Sequence, residues 1–484
     1  MTRIVWFRQD LRTRDNPALA AAAAAGDTVV PIFILDEVSS GSRWRLGGAS
    51  RWWLHHSLAA LRNDLGHVAL FRGDPRDLMP AIVKKVGASA VYWNRCYEPF
   101  AVARDTELKA SLQRLGVEVQ SFNGSLLHEP WDVATDSGGP FKVFTPYWRA
   151  SLRKLVMAPL PSPKIQVEKS NNLGDKLKDW DLLPAKPNWA ARWETLWKPG
   201  GSGALAQFDE FAKNGLTKYR EIRDRPDLHG TSRLSPHMHW GEISPRQIWA
   251  RLAFEAEDPL KRDGANKFLS EIGWREFSHH LLYHYPTLPE QNWRQNFDAY
   301  PWRESASDLL AWQRGMTGYP VVDAGMRELW RTGWMHNRVR MIAASFLVKH
   351  LRIDWRHGEA WFWDTLLDAD LANNAAGWQW VAGSGADASP YFRVFNPITQ
   401  GRKFDPNGDY VRCWCPELAR LPNEFIHEPF KAETEALAEA GITLGSTYPY
   451  PIVDHDQARR AALEGYAKVR AYTNQIGGSW SETA

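Results

Sequence analysis

The chain has 484 residues, of which 44% are hydrophobic and 24% are charged, and its formal net charge is +3. This composition excludes a largely disordered chain, and the small positive charge confines any nucleic-acid surface to a local patch. Three cysteines are too few for a disulfide framework or for the four thiolates of an iron–sulfur cluster, which favours a reducing compartment.

The first 125 residues alternate between apolar runs of strand length and helical patterns. The apolar runs lie at residues 4–7, 29–35, 68–71, 90–93 and 117–122, and the helical patterns at 18–25, 51–65, 78–86 and 101–115. Strands separated by helices predict a Rossmann-like parallel sheet of five strands, which binds ligands at the carboxyl ends of its strands. The first turn, residues 7–12, lacks the G-x-G-x-x-G pattern, so a standard dinucleotide site is not expected.

A proline-rich segment separates this α/β region from the rest of the chain. The prolines between residues 157 and 199 indicate a stiff connector, and its four tryptophans (Trp180, Trp189, Trp193 and Trp197) indicate that it packs against a folded surface. Beyond residue 200, apolar residues recur with a helical period and no strand pattern stands out. We predict an α/β domain at residues 1–130, a connector at 131–199 and an all-α domain at 200–484.

The N-terminal region has neither the pattern of a signal peptide nor that of a membrane-spanning segment. Residues 1–7 have the pattern of a strand and not that of a signal peptide, and the longest alanine run, residues 20–25, is too short to cross a bilayer. We therefore expect a cytoplasmic protein.

The segment Gly230-Thr231-Ser232-Arg233-Leu234-Ser235-Pro236 is the first motif with functional character. Small hydroxylic residues between a glycine and a helical pattern give clustered backbone N–H groups that suit a phosphate. Taken alone, the motif more often marks an ordinary helix N-cap.

A second motif places Glu271, Trp274, Arg275 and Ser278 at i, i+3, i+4 and i+7, and so on one helix face. A carboxylate, an indole and a guanidinium on one face could recognise a flat polar ligand. A surface ion pair beside a core tryptophan is the simpler alternative.

A third motif brings Asn337 and Met341 to one side of a helix, flanked by Arg338 and Arg340. A thioether beside a carboxamide suits the flat face of a base, and arginine suits a phosphate. The alternative is a helix with two solvated arginines.

A fourth motif steps by four residues from Asp370 to Asn374 and Trp378, among small residues that would let a ring system approach the backbone. Its alternative is a pair of carboxylates, Asp368 and Asp370, that cap a helix. No metal site is predicted, because the histidine pairs lack a carboxylate at metal-binding spacing and Cys413 and Cys415 form a lone pair of thiols.

Together, these motifs resemble those of the DNA photolyase/cryptochrome family over essentially the whole chain. The matching segments are residues 6–12, 230–235, 274–277, 317–323, 333–338 and 373–380, in family order. The resemblance implies an N-terminal α/β antenna domain, a long connector and an all-α FAD-binding domain, which agrees with the pattern derived above. It also implies that FAD contacts Tyr219, Thr231, Ser232, Arg233, Leu234, Ser235, Phe268, Glu271, Arg275, Asn337, Arg340, Asp368, Ala369, Asp370 and Asn374.

Within the family, the resemblance favours repair of cyclobutane pyrimidine dimers. Asn374 stands at the position facing flavin N5, where photolyases typically have Asn, plant cryptochromes Asp and animal cryptochromes Cys. Asn337 and Met341 stand where (6-4) photolyases have histidines, one acting as an acid. The chain is most similar to bacterial cyclobutane dimer photolyases of class III or the closely related class I.

The implied reaction is carbon–carbon bond cleavage in UV-damaged DNA, driven by light through reduced FAD, on a dimer flipped out of the duplex. The implied catalytic residues are Glu271, Trp274, Asn337, Met341, Asn374 and Trp380. The implied DNA contacts are Arg223, Trp274, Arg275, Ser278, Asn337, Arg338, Trp380, Arg393 and Gln400. Trp378, Trp355 and Trp302 match the electron-transfer triad, although by spacing alone three of 26 tryptophans could be core residues.

Antenna binding is implied for Trp44, Arg51 and Glu98, which lie in segments similar to the antenna domain of class III photolyases. Those enzymes carry methenyltetrahydrofolate; deazaflavin, FMN or no antenna are the alternatives, because some deazaflavin-binding relatives share the Glu98-Pro99 pair. We further expect a monomer in the bacterial cytosol or nucleoid, with no membrane partner, metal or iron–sulfur cluster.

Two other functions stay open. A cryptochrome-like photoreceptor would bind FAD and signal through a protein partner, although the chain ends about 30 residues after Asp454 without a long polar tail. A non-catalytic flavoprotein would bind DNA without repairing it.

Overall fold

The computed structural model describes residues 1–168, 173–388 and 392–475. The chain divides into two compact units: Met1–Arg220, Thr231–Pro286 and Leu367–Ala372 form the first, and Glu221–Gly230, Thr287–Leu366 and Asn373–Ala484 the second. The domain boundaries expected at residues 130 and 199 stay a prediction.

A parallel sheet opens the first unit, as the alternating pattern predicts. Its strands are β1 (Thr2–Phe7), β2 (Thr28–Leu35), β3 (Ala69–Arg72), β4 (Ala88–Asn94) and β5 (Glu118–Phe122), in the spatial order β3-β2-β1-β4-β5. A two-residue strand, β6 (Gln166–Val167), adds to the sheet by pairing with the start of β2. Sequence periodicity misses β6 because two residues are too few to show alternation.

Four helices connect these strands: α1 (Pro17–Ala24), α2 (Gly48–Leu65), α3 (Pro75–Val86) and α4 (Pro99–Arg114). Asn16 and Asp74 cap α1 and α3 with side-chain oxygens that accept backbone N–H groups, and a proline follows each cap. Trp6 and Trp93 meet edge to face, with 5.7 Å between ring centroids, in the core between sheet and helices.

The predicted connector belongs to the first unit and packs there against helix α2, as its tryptophans indicate. Trp193 meets Trp52 edge to face at 5.4 Å between ring centroids, and Trp197 meets Trp53 in the same way at 5.6 Å. Two helices lie in this stretch, α5 (Phe144–Ser151) and α6 (Trp193–Leu196).

The described chain beyond residue 200 is helical, with a single isolated β-bridge between Leu444 and Tyr448. The first unit holds α7 (Gly201–Asn214), α9 (Ser235–His239), α10 (Pro245–Glu255) and α11 (Pro259–His284). The second holds α12 (Ala306–Arg314), α13 (Pro320–Thr332), α14 (Asn337–Ser345), α15 (Trp355–Thr365), α17 (Pro397–Phe404), α18 (Asp409–Trp414), α19 (Thr434–Ala440) and α20 (His455–Gln475). The chain passes between the units within α8 (Tyr219–Ile222) and α16 (Leu371–Ala382).

Asp323 holds the turn at residues 317–323 inside the second unit. Its buried carboxylate accepts hydrogen bonds from Thr317 N, Thr317 Oγ1, Gly318 N and the Tyr448 hydroxyl, at 2.7, 2.6, 3.1 and 2.7 Å. These four donors explain how a buried carboxylate is tolerated there. Among the described helices, none combines the length and apolarity needed to span a membrane.

Candidate functional site

Helix α11 carries the predicted face of Glu271, Trp274, Arg275 and Ser278 in the first unit. The helix runs unbroken for 26 residues, so these four side chains lie within about two turns. Glu271 pairs with Lys267 at 2.9 Å, one turn earlier, and the Ser278 hydroxyl donates to Trp274 O at 3.0 Å. The ion pair of the simpler alternative is therefore present, and the recognition role of this face stays a prediction.

Trp274 stacks on Phe144, the first residue of α5. The two ring centroids are 3.8 Å apart and the planes differ by 11°. Such a stack fixes the plane of the indole, which leaves Trp274 a rigid flat surface. The sequence interpretation missed Phe144, because no local pattern links two residues 130 positions apart.

Arg275 is fixed by the backbone and by a buried acid. Its Nη1 donates to Ser125 O at 2.9 Å and lies 3.2 Å from Glu276 Oε1. Glu276 Oε2 accepts from Leu127 N at 2.7 Å. Burial raises the pKa of Glu276 to about 6 despite the nearby positive charges of Arg275 and His279.

Asp370 lies beside two buried histidines, His239 and His279, which the sequence interpretation considered only as metal ligands and rejected. His279 Nε2 is 3.2 Å from Asp370 Oδ2, and His279 Nδ1 faces Arg275 O at 3.0 Å. Both ring nitrogens face acceptors, an arrangement that favours the imidazolium form of His279. Burial lowers the pKa of His279, but Asp370 outweighs it and the pKa is raised. Burial likewise raises the pKa of Asp370, but the combined effect of His279, Arg275 and His239 lowers it below its usual value. His239 lies 4.0 Å from the same oxygen, and burial lowers its pKa, which favours its neutral form.

The segment Thr231–Ser235 forms an irregular turn before α9. Arg233 adopts a left-handed backbone with φ of 51°, and its guanidinium lies 4.5 Å from the ring centroid of Trp197. The N-cap residue of α9 is Leu234, which makes no side-chain cap, and the Ser232 hydroxyl accepts a hydrogen bond from Leu234 N at 3.4 Å. Tyr219 and Phe268 pack edge to face at 5.3 Å in the core of the unit.

In the second unit, Asn337 and Met341 share one side of α14, as their spacing predicts. Asn337 Nδ2 lies 4.0 Å from Met341 Sδ. Arg340 Nε donates to Met335 O at 2.7 Å. A carboxamide and a thioether thus form a small uncharged surface at the start of the helix.

Arg338, which lies between Asn337 and Met341 in sequence, is held by three groups. Its Nη2 lies 2.9 Å from Asp224 Oδ2, its guanidinium lies 4.5 Å from the ring centroid of Phe404, and its backbone N–H donates to His336 Nδ1 at 3.2 Å. Burial lowers the pKa of His336 to about 4, so its ring is neutral and accepts this bond.

Asn374 and the predicted tryptophan triad lie in the second unit. Asn374 Nδ2 donates to Glu359 O at 3.0 Å, which anchors the carboxamide. The Trp378 ring packs against Gly358, one turn along α15 from the buried Trp355. Trp302 is only partly buried, and the next residue, Arg303, donates its N–H to Arg352 O at 2.7 Å. Burial therefore falls from Trp378 and Trp355 to Trp302.

The remaining predicted DNA contacts of the second unit are partly or fully exposed. Trp380 and Arg393 line one cavity, and Trp380 Nε1 donates to Asp387 O at 3.2 Å. Arg223 and Gln400 are half-buried and Arg393 is exposed.

In the first unit, the predicted antenna residue Glu98 accepts from Gln9 Nε2 at 2.7 Å, Arg51 pairs with Glu37 at 2.6 Å, and Trp44 is buried.

Comparisons with known proteins match both parts of the chain. The family model described as DNA photolyase matches residues 3–164, and the one described as the FAD binding domain of DNA photolyase matches residues 268–468. The chain is 52% identical over 476 residues to the deoxyribodipyrimidine photo-lyase of Agrobacterium fabrum, covering 97% of this chain and 98% of the relative. It is 40% identical over 485 residues to cryptochrome-1 of Arabidopsis thaliana, covering 96% of this chain and 70% of the relative. A solved bacterial class III photolyase from Agrobacterium tumefaciens superposes with a TM-score of 0.92 at 51% identity, covering 97% and 98% of the two chains.

The side chains of both units have the chemistry that FAD requires. A diphosphate needs O–H and N–H donors, which Thr231, Ser235 and Arg275 carry in the first unit. The polar edge of a flavin ring pairs with hydrogen-bond donors and acceptors, and the carboxamides of Asn337 and Asn374 in the second unit offer both.

Proposed function

The chain belongs to the DNA photolyase family, and from that premise we propose that it repairs cyclobutane pyrimidine dimers in DNA under light, as a carbon–carbon lyase. The observation that supports dimer repair most is the uncharged Asn337–Met341 surface beside a neutral His336. Neither a carboxamide nor a thioether donates an acidic proton, and His336 uses Nδ1 as an acceptor. This surface therefore suits a lesion whose opening needs an electron and no general acid.

In this proposal, bound FAD supplies in its reduced, excited form the electron that opens the dimer. The chain binds and orients both partners. Trp274, held flat by Phe144, stacks on the lesion in the first unit, and Trp380 does so in the second, with Met341 against the dimer. Glu271 and Asn337 hydrogen-bond the bases.

The FAD contacts in the proposal follow the chemistry of each residue. In the first unit, Thr231, Ser232, Ser235 and Arg275 bind the diphosphate, the backbone of Arg233 and Leu234 shapes the turn, and Tyr219 and Phe268 pack beside it. Also in this unit, Glu271, Asp368, Ala369 and Asp370 line the cofactor. In the second unit, Arg340, Asn337 and Asn374 contact the flavin.

We propose that Trp378, Trp355 and Trp302 relay electrons to FAD in that order, which the outward fall in burial supports. Trp361, stacked on the exposed Trp330 at 6.0 Å and 6° between planes, offers a branch.

The antenna and the cellular setting complete the proposal. Methenyltetrahydrofolate is the proposed antenna, with Trp44, Arg51 and Glu98 as its contacts, and deazaflavin and FMN are its alternatives. UV-damaged DNA is the proposed partner, contacted by Arg223, Arg275, Ser278, Arg338, Arg393 and Gln400, mostly at phosphates. We propose a monomer in the cytoplasm. Repair is preferred over photoreception, because the photo-lyase relative is more similar to this chain than the cryptochrome relative.

An anaerobic light assay tests this function. The reduced FAD-loaded protein is illuminated with duplex DNA that contains one thymine cyclobutane dimer, and thymine absorbance is followed. We expect recovery only in the light, lost in Glu271→Ala and retained in Glu257→Gln, a control at an exposed glutamate just before α11. FAD that binds and photoreduces without any recovery of thymine would instead support the photoreceptor.

A further inference from the structure

One carboxylate, Asp224, holds the guanidinium of Arg338 in the second unit. The 2.9 Å pair is partly buried, with 18% of the Arg338 side chain and 32% of the Asp224 side chain exposed. Asp224 belongs to the segment Glu221–Gly230, far from Arg338 in sequence. Partial burial shields the pair from the screening that weakens fully exposed ion pairs.

Phe404, the last residue of α17, covers one face of the same guanidinium at 4.5 Å. Among the described residues, the Arg338 side chain makes one hydrogen bond, from Nη2 to Asp224, and its Nε is buried without a partner. A guanidinium has five donors along two usable edges. With Nη2 on Asp224 and one face on Phe404, Arg338 keeps the two N–H donors of Nη1 for an acceptor, at an orientation that is already set.

We propose that Asp224 is a positioning residue that gives Arg338 its preference for damaged DNA. Asp224 aims the Nη1 donors of Arg338 at the phosphate beside a flipped dimer, so less side-chain freedom is lost on binding. It also offsets the charge of Arg338, which reduces attraction to undamaged backbone, where binding depends on phosphate neutralisation. This inference rests on the proposed function.

A simple charge effect predicts the opposite result for damaged DNA, and that difference is the test. Removal of any carboxylate near a DNA surface strengthens binding to every duplex. If Asp224 positions Arg338, its removal weakens binding to dimer-containing DNA while it strengthens binding to undamaged DNA.

The experiment measures dissociation constants in the dark for the FAD-loaded protein, with matched duplexes that contain or lack one thymine dimer, over a range of salt concentrations. Asp224→Ala should raise the dissociation constant for the dimer-containing duplex by about fivefold and lower that for the undamaged duplex by about threefold. Both changes lie in the range measured for coupled neighbouring charges. The salt dependence on undamaged DNA should steepen by up to about 0.9 in log–log slope. Asp224→Asn keeps an acceptor oxygen, so its affinities for the two duplexes should lie between those of the wild type and those of Asp224→Ala.

Glu221→Gln is the matched control, because it removes the same charge from an exposed residue of the same segment that does not pair with Arg338. Glu221→Gln should strengthen binding to both duplexes by the same factor. If Asp224→Ala also changes the affinity for both duplexes in the same direction, the inference is overturned, while the proposed function stands. If the wild type binds both duplexes equally, the proposed function fails before any variant is compared, and this inference fails with it.

Discussion

Gly358 decides whether the Trp378 ring can lie where the proposed electron relay needs it. The ring packs directly on this glycine: a Cβ added there would lie 2.5 Å from Cζ3 and 2.6 Å from Cζ2 of Trp378, and closer still to Cη2. Carbon atoms normally approach to about 3.5–4.0 Å, so Gly358→Ala must displace the ring or α15 by roughly 1–1.5 Å.

The two effects of Gly358→Ala on stability oppose each other. Overpacking a buried site costs about 1–3 kcal/mol, and the better helix propensity of alanine returns about 1 kcal/mol. We expect the free energy of unfolding to fall by about 0–2 kcal/mol, a loss that leaves the protein folded and able to bind FAD.

The assay separates electron relay from repair. Light-driven reduction of oxidised FAD, followed by flavin absorbance with an external reductant, should slow markedly in Gly358→Ala and in Trp355→Phe. Repair by protein that was chemically reduced beforehand should stay near the wild-type rate, because the relay is then not needed. Unchanged photoreduction in a folded Gly358→Ala protein would refute the packing of Trp378 on Gly358 as the basis of the relay.

Two further predictions concern contacts within the first unit. Phe144→Leu keeps an apolar side chain but removes the stack under Trp274. Binding to dimer-containing DNA, measured by titration, should weaken by about 0.5–1.5 kcal/mol while the FAD content stays unchanged. An unaltered affinity would contradict the role of the stack. His279→Asn should destabilise the protein most at pH 5–6, because the stabilisation from a raised histidine pKa is complete below about 6.5 and is lost as the pH rises through the raised value. The lowered pKa of Asp370 keeps that carboxylate charged throughout this range. Thermal denaturation from pH 5 to 9 checks this, and a deficit that does not vary with pH would argue against the His279–Asp370 ion pair.

Local periodicity accounts for the parts of the molecule that the sequence predicted. The strand and helix patterns of the first 125 residues correspond to β1–β5 and α1–α4, and the four-residue spacing of Asn337 and Met341 places them together. These features depend on neighbours within one or two turns, which a linear pattern records directly.

Contacts between distant segments account for what the sequence did not predict. Phe144 under Trp274, His279 beside Asp370 and Asp224 on Arg338 each join residues about 90 to 130 positions apart. A histidine one residue from a charged motif has no periodic signature, and its charge follows only from the two acceptors that the fold brings to its ring. The sequence therefore identified the residues of the motifs themselves but not the residues that orient them.

The most direct test of dimer repair compares two lesions in one assay. The reduced, FAD-loaded wild type is illuminated with duplexes that differ only in carrying a thymine cyclobutane dimer or a (6-4) photoproduct. The account predicts that light restores thymines from the cyclobutane dimer and leaves the (6-4) photoproduct unchanged, since Asn337, Met341 and the neutral His336 provide no acid. Repair of the (6-4) photoproduct, or repair of neither lesion with FAD reduced and bound, would contradict it.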